Sequence, residues 1–298
     1  MSDKVLLPTV IALGYFDSVH EGHKKVIREA KKCADEMGAT LTVFTFKGNL
    51  KAMLSGGDDK SVYLPAEREK LLYELGADEI FFAPVDFNFL SMGKLAFLNY
   101  LNRKYNIKCY VSGKDYRFGR FGKGDVDDIN RYAAVHKQSQ MVVDTFLMDG
   151  EKVSTTSIKA LLSAGNVKKA NELLGRKFSV TGAVYKDRSV GSKIGFPTAN
   201  VAVDKDKFMV GDGVYAGEAD VDGKTYRAII NYGARPTFNL AEKALEAHID
   251  GFNGEIYGKQ LTLRFCFKMR GVVKFNSEIA LKEQLEKDLR FLREGKYD

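Results

Sequence analysis

The pattern of apolar residues changes near the middle of this 298-residue chain, and that change limits the folds open to it. In the first half, short runs rich in β-branched and aromatic residues alternate with stretches in which apolar residues recur every three or four positions. The short runs predict strands at 9–14, 41–46, 79–83, 108–113 and 141–146. The stretches between them predict helices, among them 23–38, 66–76 and 95–105. Strands that alternate with helices predict a parallel sheet with helices on both faces.

The second half has a different pattern. Two short helices are predicted within 151–174, and alternating apolar and polar residues then indicate antiparallel strands at 178–185, 213–233 and 259–270. Asp222-Gly223 interrupts the middle run and predicts a two-residue hairpin turn. A final helix carries an apolar stripe made of Leu281, Leu285, Leu289 and Leu292. We therefore expect two domains, an α/β domain at 1–172 and a small antiparallel β-barrel with a C-terminal helix at 173–298.

The amino-acid composition limits the kinds of molecule that this chain is expected to bind. The formal net charge of +7 favours anionic partners, such as a nucleoside triphosphate or a nucleic acid. The basic residues are dispersed, so we expect solvated surfaces and no nucleic acid partner. The three cysteines, Cys33, Cys109 and Cys266, lie too far apart in sequence to suggest a disulfide framework or a thiolate metal site. We expect a cytoplasmic protein with no signal peptide and no membrane partner, and the oligomeric state stays open.

The first candidate site is the segment GYFDSVHEGH at 14–23, which joins the first predicted strand to the first helix. Gly14 and Gly22 permit close backbone approach, and the helix start offers N–H groups to an anion. His20 and His23 are three residues apart, so both rings are placed to contact one phosphate and to stabilise charge that develops on it. Two other interpretations stay open here: a metal site completed by Asp17 or Glu21, and two surface histidines without a role.

The second candidate site is the segment GSKIGFPTANV at 191–201. Gly191 and Gly195 permit a close backbone approach to phosphate, and Pro197 fixes the turn that follows. Thr198 and Asn200 are two residues apart, so their oxygen atoms lie on one side of an extended chain. Such hard oxygen ligands suit Mg²⁺ bound together with the phosphates of ATP.

Both segments resemble a known enzyme family, the bacterial bifunctional riboflavin kinase/FMN adenylyltransferases, also called FAD synthetases. The first is similar to the family signature G-x-F-D-G-V-H-x-G-H, and the second to G-R-x-L-G-[FY]-P-T-A-N-[LI]. Further similar segments lie at 112–125, 153–167, 231–238 and 244–265. The resemblance extends in order from about residue 9 to 292.

The resemblance implies a Rossmann-like nucleotidyltransferase domain followed by a riboflavin kinase barrel. It implies that riboflavin and ATP give FMN at the barrel, with Mg²⁺, and that FMN and ATP give FAD at the first domain. Glu246 would be the general base of the kinase, and His20 and His23 would bind the ATP phosphates during adenylyl transfer. The other residues implied to contact nucleotide or phosphate are Gly14, Phe16, Asp17, Gly22, Asp115, Thr155, Thr156, Lys159, Gly191, Gly195 and Pro197, and those implied to hold the metal are Thr198 and Asn200.

The chain departs from the family pattern at several positions. The segment TFKGNL at 45–50 stands where the family has Thr-Phe-x-Pro-His-Pro. Lys159 replaces an arginine, and Ser18 replaces a glycine. In the kinase loop, Asp187 replaces a glycine and Ser192 an arginine. Two alternatives to a bifunctional enzyme therefore stay open: a riboflavin kinase with an altered N-terminal domain, and a flavin-binding or nucleic-acid-binding regulator.

Overall fold

The structure is a computed structural model that describes residues 6–55, 59–186, 195–235 and 240–295. The chain divides into two compact units, Met1–Thr155 and Thr156–Asp298. The first unit contains a five-stranded parallel sheet with the order β3-β2-β1-β4-β5. Its strands are β1 Pro8–Leu13, β2 Thr40–Phe46, β3 Glu79–Ala83, β4 Asn106–Gly113 and β5 Ser139–Val143. The predicted parallel sheet is confirmed, and the prediction placed all five strands within a few residues of these bounds.

Helices cover both faces of this sheet. They are α1 Glu21–Glu36, α2 Leu50–Ser55, α3 Pro65–Glu74, α4 Phe87–Leu90, α5 Lys94–Lys104 and α6 Val126–Val135. One buried cluster joins α1 to the sheet through Val26 and Ile27, and a second lies on the other face around Phe44 and Phe97. A short hairpin, β6 Leu147–Met148 with β7 Glu151–Lys152, precedes helix α7 Thr155–Ala164. Because the strand order reverses between β1 and β4, a crevice for ligands is expected where their carboxyl ends diverge.

The second unit is built on a closed antiparallel barrel with the order β10-β11-β12-β9-β8-β13. Helix α8 Val167–Leu174 precedes it, and the strands are β8 Phe178–Tyr185, β9 Ala199–Val201, β10 Gly213–Val221, β11 Lys224–Arg235, β12 Leu240–Ile249 and β13 Gln260–Arg270. The predicted barrel is confirmed, although the alternation of residues identified neither β9 nor β12. The predicted hairpin turn joins β10 to β11, with φ angles of 49° at Asp222 and 81° at Gly223.

The predicted C-terminal helix, α9 Glu278–Glu294, packs on the outer face of the barrel. Leu292 is fully buried, and it forms a cluster with Val214, Ala216 and Ile229. Among the helices that the structure describes, none combines the length and apolar composition that a membrane span needs. Cys33, Cys109 and Cys266 are free thiols, and the first two are buried.

Candidate active sites

The two histidines of the first candidate site lie at the junction between β1 and α1. His20 is the N-cap of α1, and its Nδ1 accepts a hydrogen bond of 3.1 Å from the backbone N–H of His23. An imidazole nitrogen that accepts a hydrogen bond carries no proton, so the neutral His20 ring is protonated on Nε2. His20 therefore caps the helix through one nitrogen and is a hydrogen-bond donor through the other.

The His20 and His23 rings are stacked, with 3.6 Å between their centroids and 16° between their planes. Because the rings are nearly parallel and one already uses Nδ1 as a helix cap, they do not direct two lone pairs at one point, as a shared metal ion requires. Within the described ranges, no group of three or more histidine, cysteine, aspartate or glutamate side chains is arranged to hold a metal ion. The geometry favours phosphate binding over a metal site that includes Asp17 or Glu21.

Because Gly14 and Gly22 lack a Cβ, the rings of Phe16 and His20 can pack closely against them in the same turn. A Cβ added to Gly22 would lie 3.0 Å from Cε1 of His20, and one added to Gly14 would lie 2.5 Å from the ring of Phe16. Phe16 is buried, adopts a positive φ of 48° and contacts His23 edge-on. The sequence suggested that these glycines admit a nucleotide; in the structure their immediate effect is to allow the packing of His20 and Phe16.

A fully buried arginine that belongs to none of the sequence motifs lies under this turn. The Arg68 guanidinium donates hydrogen bonds to the carbonyl oxygens of Tyr15 at 3.2 Å and Phe46 at 2.7 Å, and to Oγ1 of Thr45 at 3.3 Å. Tyr15 follows β1, and Thr45 and Phe46 end β2. Arg68 therefore ties together the carboxyl ends of two neighbouring strands, where the candidate site lies.

The charge of Arg68 interacts with buried Asp17. Burial lowers the pKa of the Arg68 guanidinium, and the negative charge of Asp17 opposes that shift. Arginine stays protonated in proteins, so a permanent cation lies beneath the turn. The Asp17 carboxylate also accepts a hydrogen bond of 3.2 Å from the N–H of Val62. Burial, and next the charge of Asp17, raise the pKa of Tyr15 to about 12, so Tyr15 stays neutral.

The altered segment at 45–50 has a structural role in the same place. Its first residue, Thr45, donates a hydrogen bond of 2.6 Å to the carbonyl oxygen of Tyr15. Its last residue, Leu50, donates its backbone N–H to the Tyr15 hydroxyl at 3.2 Å. The segment therefore supports the turn that carries His20, even without the proline and histidine of the family pattern.

Two other predicted residues, Thr155 and Asp115, lie on further segments of the first unit. Ser18 replaces a family glycine, and its hydroxyl is 2.9 Å from that of Thr155, which brings the start of α7 to the histidine turn. Asp115 follows β4, whose carboxyl end is beside that of β1, and it forms an ion pair with Lys152. Thr156 and Lys159 belong to the second unit, in which the Lys159 ammonium lies 5.3 Å from the ring centroid of Phe208.

The barrel brings together Asn200 and Glu246. The register of β9 and β12 places them directly opposite each other, and the register of β11 and β12 places Asn231 opposite Glu246 on the other side. Residues opposite each other in a sheet extend from the same face, so a carboxylate lies between two carboxamides. The neighbouring residues of β12, Leu245 and Ala247, are buried and pack in the core, which leaves Glu246 on the outer face of the barrel.

Thr198 and Pro197 lie just before β9. The carbonyl oxygen of Pro197 is 2.9 Å from Nδ1 of His248, which fixes the approach of this segment to β12. Thr198 lines a cavity of about 180 Å³ together with Ala247, Phe252 and other residues at this end of the barrel. Gly195 has a φ of +85° and open space around its Cα, so the position requires glycine for its backbone angle. Gly191, Asp187 and Ser192 lie outside the described residues.

Two family models match the chain. The model described as FAD synthetase matches residues 2–157, and the model described as riboflavin kinase matches residues 174–295. A Bacillus subtilis protein, named bifunctional riboflavin kinase/FMN adenylyltransferase, is 32% identical over 289 residues that cover 94% of this chain and 90% of the relative. The chain belongs to the bifunctional riboflavin kinase/FMN adenylyltransferase family. It contains the FAD synthetase and riboflavin kinase domains of that family in the expected order.

Two further comparisons cover nearly the whole chain. A Haemophilus influenzae protein of the same name is 30% identical and covers 97% of this chain and 94% of its own length. A crystal structure from Streptococcus pneumoniae, described as that of a macrolide-efflux protein, is similar over 96% of this chain and 94% of its own, with 31% identity and a TM-score of 0.89. The bifunctional riboflavin kinase/FMN adenylyltransferase family therefore accounts for nearly the whole chain.

Proposed function

We propose that this chain catalyses two successive ATP-dependent reactions, phosphorylation of riboflavin in the barrel unit and transfer of an adenylyl group to FMN in the α/β unit. The observation that carries the two-step proposal is the arrangement of His20 and His23. Both are held in a defined geometry at the carboxyl end of β1, although neighbouring residues depart from the family pattern. This arrangement supports phosphate binding at the start of α1.

In the kinase reaction, we assign Glu246 as the general base. Its carboxylate takes the proton from the ribityl 5′-hydroxyl of riboflavin, the oxygen attacks the γ-phosphorus of ATP, and ADP leaves. Asn200 lies opposite Glu246, and Asn231 lies on the other side. Gly191, Gly195 and Pro197 are assigned to the loop that contacts the phosphates.

Mg²⁺ fits the donor set of this unit. Thr198 and Asn200 offer a hydroxyl and an amide oxygen, which are hard ligands, and the ATP phosphates complete such a site in enzymes of this kind. When bound, the ion neutralises charge on the phosphates. In this proposal Thr198 and Asn200 would hold the ion, and Glu246 would accept the proton of the ribityl 5′-hydroxyl.

In the adenylyl transfer, a phosphate oxygen of FMN attacks the α-phosphorus of ATP and pyrophosphate leaves. His20 donates from Nε2 to the phosphates, and the start of α1 adds backbone N–H groups. His23, stacked on His20, shares this role. Gly14, Phe16, Asp17 and Gly22 shape the turn. The further residues assigned to contact nucleotide are Asp115, Thr155, Thr156 and Lys159.

In this scheme FMN, the product of the kinase reaction, is the substrate of the adenylyl transfer at the other site on the same chain. The division of labour follows the predicted domains, 1–172 for adenylyl transfer and 173–298 for the kinase. Both reactions consume ATP, and we propose that the enzyme acts in the cytoplasm, where ATP is supplied.

One assay tests the proposal. The purified chain is incubated with riboflavin, ATP and Mg²⁺, and products are separated by chromatography, first with oxidised and then with reduced flavin. We expect FMN followed by FAD. Accumulation of FMN with no FAD in either redox form would indicate a kinase with an inactive first unit, and failure to form FMN would contradict both assignments.

A further inference from the structure

Phe121 is a large apolar residue held at an exposed position on the loop that follows β4. Its side chain is 75% exposed. Its backbone has φ 57° and ψ 23°, in the left-handed region that residues with a Cβ rarely adopt. Exposure of an aromatic ring and a strained backbone are both unfavourable for the isolated protein, and such strain concentrates at binding and catalytic sites.

The loop around Phe121 is anchored on both sides. Phe118 and Gly124 form a β-bridge, and the N–H of Arg120 donates a hydrogen bond of 2.6 Å to the carbonyl oxygen of Met92. The loop also packs against the start of α5, where a Cβ on Gly119 would lie 3.0 Å from the Lys94 backbone. These contacts restrain the loop. Phe121 is therefore exposed on a loop that is anchored on both sides of it.

The position of this loop relates it to the histidine turn. β1 and β4 are neighbours in the sheet and the strand order reverses between them, so the segments that follow these strands border the ligand crevice. His20 lies on the segment after β1, and Phe121 lies on the segment after β4. We therefore expect a ligand with its phosphate at His20 to extend towards the loop of Phe121 on one flank of the crevice.

We propose that Phe121 is a specificity-determining residue that stacks against the isoalloxazine ring of FMN during adenylyl transfer. The inference rests on the proposed FMN adenylyltransferase activity. FMN must bring its phosphate to the ATP α-phosphorus, and its ribityl chain then carries the flat ring away from that point. Exposed aromatic side chains stack on flat aromatic ligands, and the tricyclic isoalloxazine ring has a larger face for stacking than adenine has. The Arg120 guanidinium lies 5.0 Å from the centroid of the Phe121 ring and adds a second group suited to a planar partner.

The test uses the full chain and two variants of this position. Phe121→Gly removes the ring and accepts the positive φ without strain, so the loop keeps its conformation. Phe121→Tyr keeps the ring. For each protein, FAD formation is measured over a range of FMN at saturating ATP and over a range of ATP at saturating FMN. The KM for riboflavin in the kinase reaction of the same samples is an internal control, and so is Val135→Ala, an exposed apolar residue at the end of α6.

We expect Phe121→Gly to raise the KM for FMN about tenfold, as loss of one aromatic stacking partner does. The KM values for ATP and riboflavin should stay within twofold, the melting temperature should not fall, and Phe121→Tyr should restore the KM for FMN. An unchanged KM for FMN, or a rise in the KM for ATP in its place, would overturn the inference while FAD formation by the wild type upholds the proposed function. Absence of FAD from the wild-type protein would overturn both.

Discussion

Glu246 on β12 and Asn200 on β9 lie directly opposite each other in the barrel. They are 46 positions apart in the sequence, so only the strand register brings them together. Residues in such a pair have Cβ atoms about 5 Å apart, close enough for a carboxylate and an amide to act on one substrate. The barrel thus places the proposed base beside the proposed metal ligand without the help of a long loop.

Glu246→Gln should abolish riboflavin phosphorylation. The amide keeps the size of the side chain but cannot take a proton, so we expect FMN formation to fall by a factor of about 10²–10⁴. ATP binding, measured by calorimetry, should change little, and added FMN should still give FAD. Glu286→Gln, an exposed carboxylate on α9, is the matched control. Unchanged turnover would remove Glu246 as the base.

His20→Asn should separate the two roles of His20. Asparagine is a good N-cap, so the first turn of α1 should be preserved, whereas the Nε2 donor is lost. We expect FAD formation to fall by a factor of about 10²–10³, with riboflavin phosphorylation unchanged. His20→Ala loses the cap as well and should destabilise the first unit by about 1 kcal/mol more. Normal FAD formation in the asparagine variant would show that the cap alone matters.

Gly22→Ala should slow FAD formation without lowering stability. The new Cβ would lie 3.0 Å from the His20 ring and force it to move, while alanine favours the helix by up to about 1 kcal/mol. The control is Gly93→Ala, since a Cβ there meets nothing within 4 Å. Calorimetry and FAD formation are measured together. Equal rates for the two variants would mean that the position of the His20 ring is not critical.

Asp288→Ala should destabilise the second unit. The buried Asp288 carboxylate accepts hydrogen bonds from the Arg270 guanidinium, the shortest 2.7 Å long, and from Gln284 at 2.8 Å. Its loss leaves the half-buried Arg270 guanidinium without its carboxylate partner, which costs about 3–5 kcal/mol. Lys259→Met, which breaks an exposed ion pair with Asp222, should change the unfolding free energy by less than about 1 kcal/mol. A similar loss of unfolding free energy in Asp288→Ala and Lys259→Met would contradict the prediction that the buried ion pair contributes more than the exposed one.

Asp250 should make the second unit sensitive to acid. The hydrogen bonds from Arg293 hold the pKa of the Asp250 carboxyl below its usual range, helped by the charges of Arg293, His248 and Arg227. A depressed folded-state pKa means that the unfolded chain binds more protons, so this stabilisation is full above the unfolded pKa of about 4. It is lost as pH falls through the lower folded-state value.

Asp250→Asn removes this contribution at every pH. The variant should melt at a lower temperature than the wild type at pH 7, and the difference should shrink as pH falls from 5 towards 3. Calorimetry at several pH values measures it. Asp206→Asn, at an exposed turn, should follow the wild-type curve throughout. A constant difference between Asp250→Asn and the wild type over this range would contradict the assignment.

The fold was predictable wherever burial produced a simple pattern. The strands of the parallel sheet are buried on both faces, so each reads as a continuous apolar run. Strand β12 was missed because its sequence, LAEKALEAHI, is rich in alanine, glutamate and lysine, which favour helix in isolation. Pairing with β11 and β9 overrides that preference. Strand β9 has three residues, too few to show a period.

Site residues that lie within sequence motifs were predictable. Site residues whose position depends on packing were harder to predict. His20, Asn200 and Glu246 lie in recognisable segments. Arg68 does not, because the sequence AEREK around it suggests an exposed helix surface. Its burial depends on carbonyl groups of β1 and β2 that come together only in the folded sheet. The apolar Leu72, one helical turn further on, was the available signal, since residues four apart share a helix face.

The shortness of β9 has a consequence for the dynamics of the barrel. Among the residues that the structure describes, β9 forms three residue pairs with β12 and two with β8, fewer than any other two neighbouring strands of the barrel. Local opening costs least where contacts are few, and amide protons of residues 199–201 should exchange with solvent before those of β10 and β11. A substrate that contacts both Asn200 and Glu246 would link β9 to β12. Binding at this site should therefore protect the amides of β9 from exchange and raise the melting temperature of the whole barrel.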